Sequence, residues 1–272
     1  MWRRLYYLLP ASLRFAARWL FYLPYDLVNP PPPLVPPRRL IFTGRGPFVR
    51  QGDEWLAFFR AEGLQPHQNF LDIGSGIGRI ARPLTGYLVG SYEGFDVVRT
   101  GVRWCQKNIT SLYPHFRFTC VPLYNDLYTS HGDRADKFKF PYENNRFHFA
   151  CAISVFTHLL PDETWNYLLE SARVLRPGGR LVATFFVFRS DEELSRSGVF
   201  QFPFVHGHYA LMSRRVKRAN VAYRFDFLEK VSEDCGFRIL KTIEGAWKGQ
   251  QMHHPVAFQD VWVLERQSAV KH

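Results

Sequence analysis

Three closely spaced glycines end a short apolar run, in the sequence FLDIGSGIG at residues 70–78. This order of residues is typical of a strand that turns tightly into a helix. Glycines let such a turn adopt unusual dihedral angles and approach a ligand closely. The spacing is not the G-x-G-x-x-G of dinucleotide sites, and no lysine follows as a P-loop requires. The turn therefore predicts a binding site for an adenosyl group, with contacts from Asp72, Gly74, Ser75, Gly76 and Gly78.

Two acids are placed to bind this ligand. Asp72 can anchor the loop itself or an ammonium group of the ligand through a charge-assisted hydrogen bond. Asp96 ends the next apolar run, 18 residues beyond Gly78, where a carboxylate suits a pair of ribose hydroxyls. The alternative for Asp96 is a cap of the helix that follows at Arg99. The preceding glycine turn favours the ribose role, with Val97 beside it.

A histidine follows the fourth apolar run at a position suited to proton transfer. Ser154 and His158 lie in the segment SVFTH at residues 154–158, and open α/β sheets bind ligands at the carboxyl ends of such strands. A neutral imidazole accepts a proton near pH 7, so His158 is the candidate catalytic base. The alternative is that His158 only shapes the pocket, whereas Ser154 is a predicted cofactor contact.

Further histidines occur in two loops. The predicted substrate contacts there are His206, His208, Tyr209, His253 and His254. No acid accompanies them at a spacing known for metal ligands, so we expect no metal site. The cluster RRVKR at residues 214–218 fits a solvated face or a contact with an anionic group.

Strand and helix patterns alternate between residues 69 and 188, which predicts a parallel sheet with helices on both faces. The predicted strands are 69–74, 91–97, 117–121, 147–154 and 180–188. The predicted helices are 53–62, 77–88, 99–113 and 162–175. A tail adds a helix at 224–235 and strands at 237–244 and 259–266, and residues 189–223 are expected to form a cap.

Positive charge is concentrated at the start of the chain. The first fifty of the 272 residues hold eight arginines and one acid, Asp26, whereas the whole chain has a formal charge of +11. Residues 1–28 form a basic, aromatic pattern with arginines on one side, and Pro10 should divide it into two helices. This pattern favours an arm on an anionic membrane surface, too short in its uncharged runs to cross one. The alternative is a helix packed on the protein's own core or on a partner chain.

A proline-rich segment separates this arm from the rest of the chain, whose composition is that of an ordinary enzyme. Residues 29–40 are rich in proline and should form a stiff polyproline linker to a domain at 41–266, followed by a tail at 267–272. The four cysteines are scattered without a C-x-x-C pair, which disfavours a disulfide framework and a zinc cage. With no base-reading stripe evident, we expect no nucleic-acid partner. The expected location is cytoplasmic, peripheral on the inner face of a membrane, and the oligomeric state stays open.

The motifs together resemble the class I S-adenosylmethionine-dependent methyltransferases. Residues 71–78 resemble the first motif of that family, Asp96 its acid after the second strand, and residues 173–181 the turn into its fifth strand. The segment at 140–147 resembles the approach to its fourth strand, so the likeness covers about residues 45–188. The resemblance implies a Rossmann-like seven-stranded sheet with one antiparallel strand, and S-adenosylmethionine as the cofactor.

One departure from the family concerns the adenine. Many relatives carry an acid after the third strand, where this chain has Val121-Pro122-Leu123. Pro122 and Leu123 are therefore the candidate adenine contacts, through packing and the Leu123 backbone N–H. Asn125 and Asp126 follow shortly after, and the polar partner of the adenine stays open.

The leading hypothesis is an enzyme that methylates a hydroxyl, or second an amine, of a small, glycan-like or lipid-linked acceptor near a membrane. The first alternative is a non-catalytic S-adenosylmethionine-binding module that acts through partner or membrane contact. The second is a nicotinamide-dependent oxidoreductase, which the glycine spacing disfavours.

Overall fold

A seven-stranded sheet forms the centre of the molecule in a computed structural model that describes residues 11–42, 46–129, 131–195, 198 and 200–268. Its strands are β1 (Phe70–Ile73), β2 (Tyr92–Asp96), β3 (Phe116–Cys120), β4 (Phe147–Ala152), β5 (Leu175–Phe185), β10 (Phe237–Ile243) and β11 (Asp260–Arg266). Their order across the sheet is β10-β11-β5-β4-β1-β2-β3. Strand β11 is antiparallel to both of its neighbours, while the pairs from β5 to β3 are parallel. The predicted Rossmann-like sheet with one antiparallel strand is confirmed.

Seven α-helices lie in the described part of the chain. They are α1 (Ala11–Val28), α2 (Phe48–Ala61), α3 (Ala81–Leu84), α4 (Arg99–Cys105), α5 (Pro161–Val174), α6 (Asp191–Ser195) and α7 (Phe225–Asp234). Strand β1 is buried at every residue because helices cover both faces of the sheet. Two large apolar clusters, one on each side of the sheet, form the core.

The helix predicted at 77–88 is shorter than expected. Residues 77–80 form turns, and α3 contains only four residues. Gly78 has a positive φ of 79°, which a right-handed helix does not tolerate, and Pro83 lacks the N–H that an interior helical residue donates. The prediction was wrong here because the apolar residues of this segment pack against the core from a turn and not from a regular helix.

The segment predicted as a cap, residues 189–223, contains regular structure of its own. Strands β6 (Val187–Phe188), β7 (Phe204–His206), β8 (Tyr209–Leu211) and β9 (Val221–Arg224) form a second, four-stranded sheet. A separate apolar cluster that includes Phe186, Phe202 and Trp247 supports it. Strands of only three residues are too short for an alternation of apolar and polar side chains to be recognised in the sequence.

The proline-rich segment is not a straight polyproline linker. Leu34 has a φ of 61°, and the Val35 N–H donates to the Pro32 carbonyl at 3.1 Å, so the chain turns there. The segment thus folds back toward α1, and the expectation of a stiff spacer was wrong. Prolines fix only their own φ angles, and one non-proline residue suffices to reverse the chain.

Helix α1 packs on the body of the protein through its charged side. Arg14 and Asp26 are buried, at 8% and 7% exposure, whereas Leu20 and Phe21 are 65% and 74% exposed. Asp26 holds the helix in place by accepting the backbone N–H groups of Arg38 and Arg39 at 2.7 and 3.0 Å. Residues 1–10 of the predicted arm, and residues 269–272 of the predicted tail, lie outside the described residues.

Candidate functional site

A cavity of about 2080 Å³ opens at the carboxyl ends of the central strands. Its floor is the glycine loop, which we define as residues 74–78, together with Asp72 and Asp96. Within this loop the predicted contact Gly78 does not line the cavity, and it packs against Ile109 instead. Its roof is the inward side of α1. Residues 153–155 after β4, and residues 255–259 before β11, close its sides. Pockets for a single small ligand occupy roughly 300–1,000 Å³, so this cavity has room for two.

The glycine loop has the backbone that only glycine adopts readily. Gly74, Gly76 and Gly78 have φ angles of 74°, 57° and 79°. A Cβ at Gly74 would lie 2.5 Å from a methyl group of Val155, and a Cβ at Gly78 would lie 2.8 Å from Ile109. The spacing of the three glycines is therefore required by the turn and by the elements packed against it.

Asp96 ties the glycine loop to the end of β2. Its two carboxylate oxygens accept the N–H of Gly76 at 2.8 Å and the N–H of Val98 at 2.7 Å. Burial raises the pKa of Asp96, and the backbone hydrogen bonds act in the opposite direction. Each oxygen keeps a second lone pair, so the carboxylate can still accept ligand hydroxyls from the cavity. The capping role and the ribose role are thus compatible in one side chain.

Asp72 lies under the loop in a nearly dry environment. It accepts hydrogen bonds from the Tyr92 hydroxyl at 2.5 Å and from the Cys151 thiol at 3.4 Å. Burial raises its pKa from 3.8 to about 6, against the effect of these two donors. A cation entering the cavity would favour the ionised form of Asp72, which suits the predicted contact with an ammonium group.

The residues of the floor fit the adenosyl cofactor that the sequence predicts. The Ser75 hydroxyl is buried at the cavity and has no hydrogen-bond partner in the described residues. A buried hydroxyl without a partner costs free energy that a ligand acceptor or donor would recover. Together with the two carboxylates, it makes a polar floor for the cavity.

The predicted adenine end of the cavity, after β3, differs from the sequence prediction in the residues that line it. Val121 and Asn125 line the cavity there, whereas Pro122 and Leu123 do not. The Leu123 N–H donates to the Val121 carbonyl at 3.0 Å. The Asn125 side chain donates to the His158 carbonyl at 3.3 Å and accepts the Leu127 N–H at 3.0 Å, and the adenine contact stays a prediction.

Ser154 and the residues after it form the wall next to the floor. Ser154 has a φ of 59°, and its hydroxyl donates to Gln259 at 2.9 Å while its N–H donates to Thr184 at 2.7 Å. These bonds hold a strained turn at the end of β4, where the chain leaves the sheet. Val97 and Ser154 both line the cavity, as predicted contacts should.

His158 reaches the cavity as a neutral imidazole with a defined tautomer. Its Nδ1 lies 2.9 Å from the Arg218 carbonyl, which only accepts, so Nδ1 carries the proton and Nε2 is left to accept one. Burial lowers the pKa of His158 below its usual 6.5. The arrangement suits a base at neutral pH.

Arg218 positions His158, a role that the sequence did not reveal. Its guanidinium pairs with Glu163 at 2.5 Å, and its backbone N–H donates to Asp126 at 3.2 Å. Within the basic cluster at 214–218, this arginine is thus part of the scaffold rather than of a solvated face. Only tertiary contact brings α5 and the loop after β3 to it, so no local pattern could have identified it.

The other predicted substrate residues lie outside the cavity lining. His206, His208 and Tyr209 belong to the β7–β8 hairpin, where the His208 ring stacks on Phe227 at 4.2 Å. Their part in substrate binding stays a prediction. His253 is exposed, and the His254 ring packs on Phe58 at 5.2 Å beside cavity residues Pro255 and Val256.

The roof supplies residues that sequence reasoning missed as site residues. Arg14, Phe15, Arg18 and Tyr22 of α1 line the cavity from above. Arg14 donates to the Leu127 carbonyl next to the adenine end. The helical period placed these residues on one side of α1, but which side faced the protein was not determined by that pattern.

Two other kinds of site are absent from the described residues. No cluster of three or more histidine, cysteine or acidic side chains is arranged to hold a metal ion. None of the helices in this part of the chain combines the length and apolarity needed to cross a bilayer.

Known proteins share both the sequence motifs and the fold. Residues 71–183 match the family model described as a methyltransferase domain. A SAM-dependent methyltransferase structure from Methanosarcina mazei is 19% identical, covers 77% of this chain and 97% of its own, and has a TM-score of 0.53. A Clostridium acetobutylicum S-adenosylmethionine-dependent methyltransferase is 12% identical over 82% of this chain and 93% of its own, with a TM-score of 0.54.

A third structure contains ligands. The Burkholderia thailandensis 1,6-didemethyltoxoflavin-N1-methyltransferase, solved with its substrate and S-adenosylhomocysteine, is 16% identical over 96% of this chain and 92% of its own, with a TM-score of 0.53. At these identities the structures show a shared fold. Residues 71–183 thus match a methyltransferase domain, within a fold that is shared with S-adenosylmethionine-dependent methyltransferases, and both findings support S-adenosylmethionine as the cofactor.

Proposed function

We propose that this protein is a methyltransferase that methylates a hydroxyl group of a lipid-linked acceptor at a membrane surface. The observation that carries the proposal is the orientation of α1 over the cavity. Its charged side faces the site, while Leu20, Phe21 and Leu27 point outward at 65%, 74% and 74% exposure. The helix that roofs the active site thus presents its apolar side to the surroundings.

This orientation is the reverse of an ordinary surface helix, which buries its apolar side. Moving one leucine or phenylalanine side chain out of water is favourable by about 1.5–3 kcal/mol. Several such side chains exposed on one helix therefore favour its association with an apolar partner such as a lipid surface. A lipid surface fits because the outward side of α1 is apolar; Arg14 and Arg18 face the cavity, so the excess of eight arginines over one acid in the first fifty residues contributes long-range attraction to an anionic surface. An acceptor anchored in the same surface would enter the cavity beneath α1.

The choice of a hydroxyl acceptor is based on the presence of a candidate base, His158, at the cavity. S-adenosylmethionine supplies a methyl group on a sulfonium, and a hydroxyl acceptor must lose a proton as it gains the methyl group. In the tautomer that donates from Nδ1 to the Arg218 carbonyl, the Nε2 of His158 carries no proton, and it is the proposed proton acceptor at the cavity wall. The floor and walls align the acceptor and exclude water, which is the main requirement of an in-line displacement.

The membrane part is tested with matched leucines. Leu20→Glu and Leu112→Glu change side chains of nearly equal exposure, 65% and 66%, on the roof and on an unrelated surface. We expect Leu20→Glu to reduce binding to vesicles that contain anionic lipid about tenfold or more, and Leu112→Glu to leave it unchanged. Equal binding of both variants and the parent protein would remove the membrane from the proposal.

The catalytic part is tested with His158→Gln. Transfer of label from S-adenosylmethionine to a lipid extract should fall by about 100- to 10,000-fold, the usual contribution of general-base catalysis. The affinity for S-adenosylhomocysteine should change little, because His158 acts on the acceptor. A matching loss of affinity would mean that His158 only shapes the pocket. Cofactor binding by the parent protein without transfer to any extract would favour the non-catalytic module.

A further inference from the structure

Two arginines flank one tyrosine ring at the mouth of the cavity. Arg18 projects from α1, and Arg38 lies in the short turn that follows the proline-rich segment. Their guanidinium carbons lie 4.9 and 5.1 Å from the centre of the Tyr22 ring, and Arg38 lies equally close to the Tyr25 ring, at 5.1 Å. All four side chains line the cavity, and we refer to them as the arginine–tyrosine cluster.

This cluster contains no compensating negative charge. Within the described residues, neither Arg18 nor Arg38 pairs with a carboxylate. The acid of the same helix, Asp26, is already engaged with Arg39 at 3.2 Å and with two backbone N–H groups. Arg18 donates to the Arg38 carbonyl at 3.3 Å, and its buried Nε has no hydrogen-bond partner in the part of the chain that the structure describes.

Two guanidinium groups in contact with one ring repel each other, and their repulsion is weakly screened where water is partly excluded. Contact with the tyrosine faces offsets only part of that cost. An anion between or beside them would remove the repulsion and satisfy the free N–H groups. The planar fork of arginine matches phosphate and carboxylate oxygens in particular.

The cavity has room for such an anion beside the cofactor. Its volume of about 2080 Å³ exceeds that of an ordinary single-ligand pocket, roughly 300–1,000 Å³. Its two ends also differ in charge. The floor carries Asp72 and Asp96, which suit a cationic cofactor, whereas the arginine–tyrosine cluster at the roof suits an anion.

We propose that the arginine–tyrosine cluster binds a phosphate group of the methyl acceptor. The assignment rests on the proposed function, because it concerns the same acceptor in the same cavity. The phosphate belongs either to a soluble molecule or to a lipid headgroup, and both present the same oxygens to Arg18 and Arg38. Tyr22 and Tyr25 hold the two guanidinium groups in place for it.

The test uses the full chain saturated with S-adenosylhomocysteine and two probes. The first is inorganic phosphate, titrated by calorimetry. The second is phosphatidic acid in phosphatidylcholine vesicles, compared with phosphatidylcholine vesicles alone. The variants are Arg18→Gln and Arg38→Gln, with Arg60→Gln as the control, because Arg60 likewise lies over a tyrosine, Tyr87, at 5.2 Å but outside the cavity lining.

We expect Arg18→Gln and Arg38→Gln each to weaken phosphate binding about tenfold or more, and Arg60→Gln to leave it unchanged. Arg18→Lys, which keeps the charge but not the fork, should show a smaller loss than Arg18→Gln. The probe that shows the loss identifies the source of the phosphate. Loss with the vesicles alone indicates a headgroup, and loss with inorganic phosphate alone indicates a soluble acceptor.

Two results would overturn the assignment. One is equal binding of both probes by the cluster variants and the Arg60→Gln control. The other is an equal loss of S-adenosylhomocysteine affinity in Arg18→Gln, which would assign the arginines to the carboxylate of the cofactor. Binding to vesicles of phosphatidylcholine alone is a separate measurement, because it depends on the outer side of α1 and not on the cluster. Failure of membrane binding is therefore distinguishable from failure of the phosphate site.

Discussion

The floor and the roof of the cavity are built in different ways. The floor is local: the glycine loop, Asp72 and Asp96 lie within 25 consecutive residues, and hydrogen bonds between two adjacent strands fix their geometry. The roof is a single helix, held by Asp26 and by contacts with residues more than 100 positions away, such as that from Arg14 to Leu127. The candidate cofactor site thus rests on backbone that local hydrogen bonds hold, whereas the roof above it depends on a few contacts between distant segments.

The sharpest test of the rigid floor is Gly74→Ala. The new Cβ would meet Val155 at 2.5 Å in a backbone with a φ of 74°, so the loop must move. We expect the affinity for S-adenosylhomocysteine to fall about 100-fold or more. Gly178→Ala is the matched control, because its φ is 76° but nothing lies within 4 Å of the added Cβ. Similar affinity in both variants would show that the floor is not rigid.

Asp96→Ala probes the same floor by removing charge rather than adding bulk. The variant loses acceptors for the Gly76 and Val98 N–H groups as well as the predicted ribose contacts. We expect cofactor affinity to fall by about 2 kcal/mol, roughly 30-fold, in equilibrium dialysis. Asp226→Ala, on the exposed side of α7, should bind like the parent protein. Unchanged affinity in Asp96→Ala would exclude Asp96 from the site.

Asp26→Asn tests whether α1 can detach from the body of the protein while the central sheet stays folded. The amide cannot replace a carboxylate that accepts from Arg38 and Arg39 together, so the docking of α1 should weaken by about 1–3 kcal/mol. Hydrogen exchange in residues 11–28 should accelerate about tenfold, while exchange in β1 and β2 stays constant. Asp136→Asn, which loses only an exposed pair with Arg134, serves as control. Acceleration throughout the sheet would show that roof and floor unfold together.

The smallest expected effect is a pH dependence of the floor. Because the pKa of Asp72 is raised from 3.8 to about 6, its contribution to folding stability is complete below pH 3.8 and is lost as pH rises through about 6. Binding of a cationic cofactor has the opposite sign, since it favours the ionised carboxylate. The affinity for S-adenosylmethionine should therefore rise a few-fold through about pH 6, and Asp72→Asn should flatten the profile. A dependence retained in Asp72→Asn would assign it to another group.

Local signals predicted the floor well. The glycine spacing, the acid that ends β2 and the alternation of strands and helices each depend on neighbours in sequence, and the structure has the strands within a few residues of their predicted positions, except β5, which begins at Leu175. The glycine loop also shows why α3 is short, since Gly78 at a positive φ cannot lie inside a helix. That consequence was available from the sequence, because the spacing that suits a tight turn excludes an immediate helix.

Contacts between distant segments were not predictable in the same way. Val121 and Asn125, rather than Pro122 and Leu123, line the cavity because of the way the loop after β3 packs against His158. The support of His158 by Arg218, Glu163 and Asp126 joins three separate segments. No periodicity in any one of them indicates the other two.

By itself, the sequence determined the sheet, the glycine loop and the class of cofactor, because strand pairing and turn geometry follow from residue types at short spacing. It also determined that residues 11–28 form an amphipathic helix. Only the tertiary structure decided that the arginines of that helix face inward and its apolar side outward. A helical period specifies two sides but not their neighbours, and here the buried Asp26 and the polar cavity beneath α1 select the charged side.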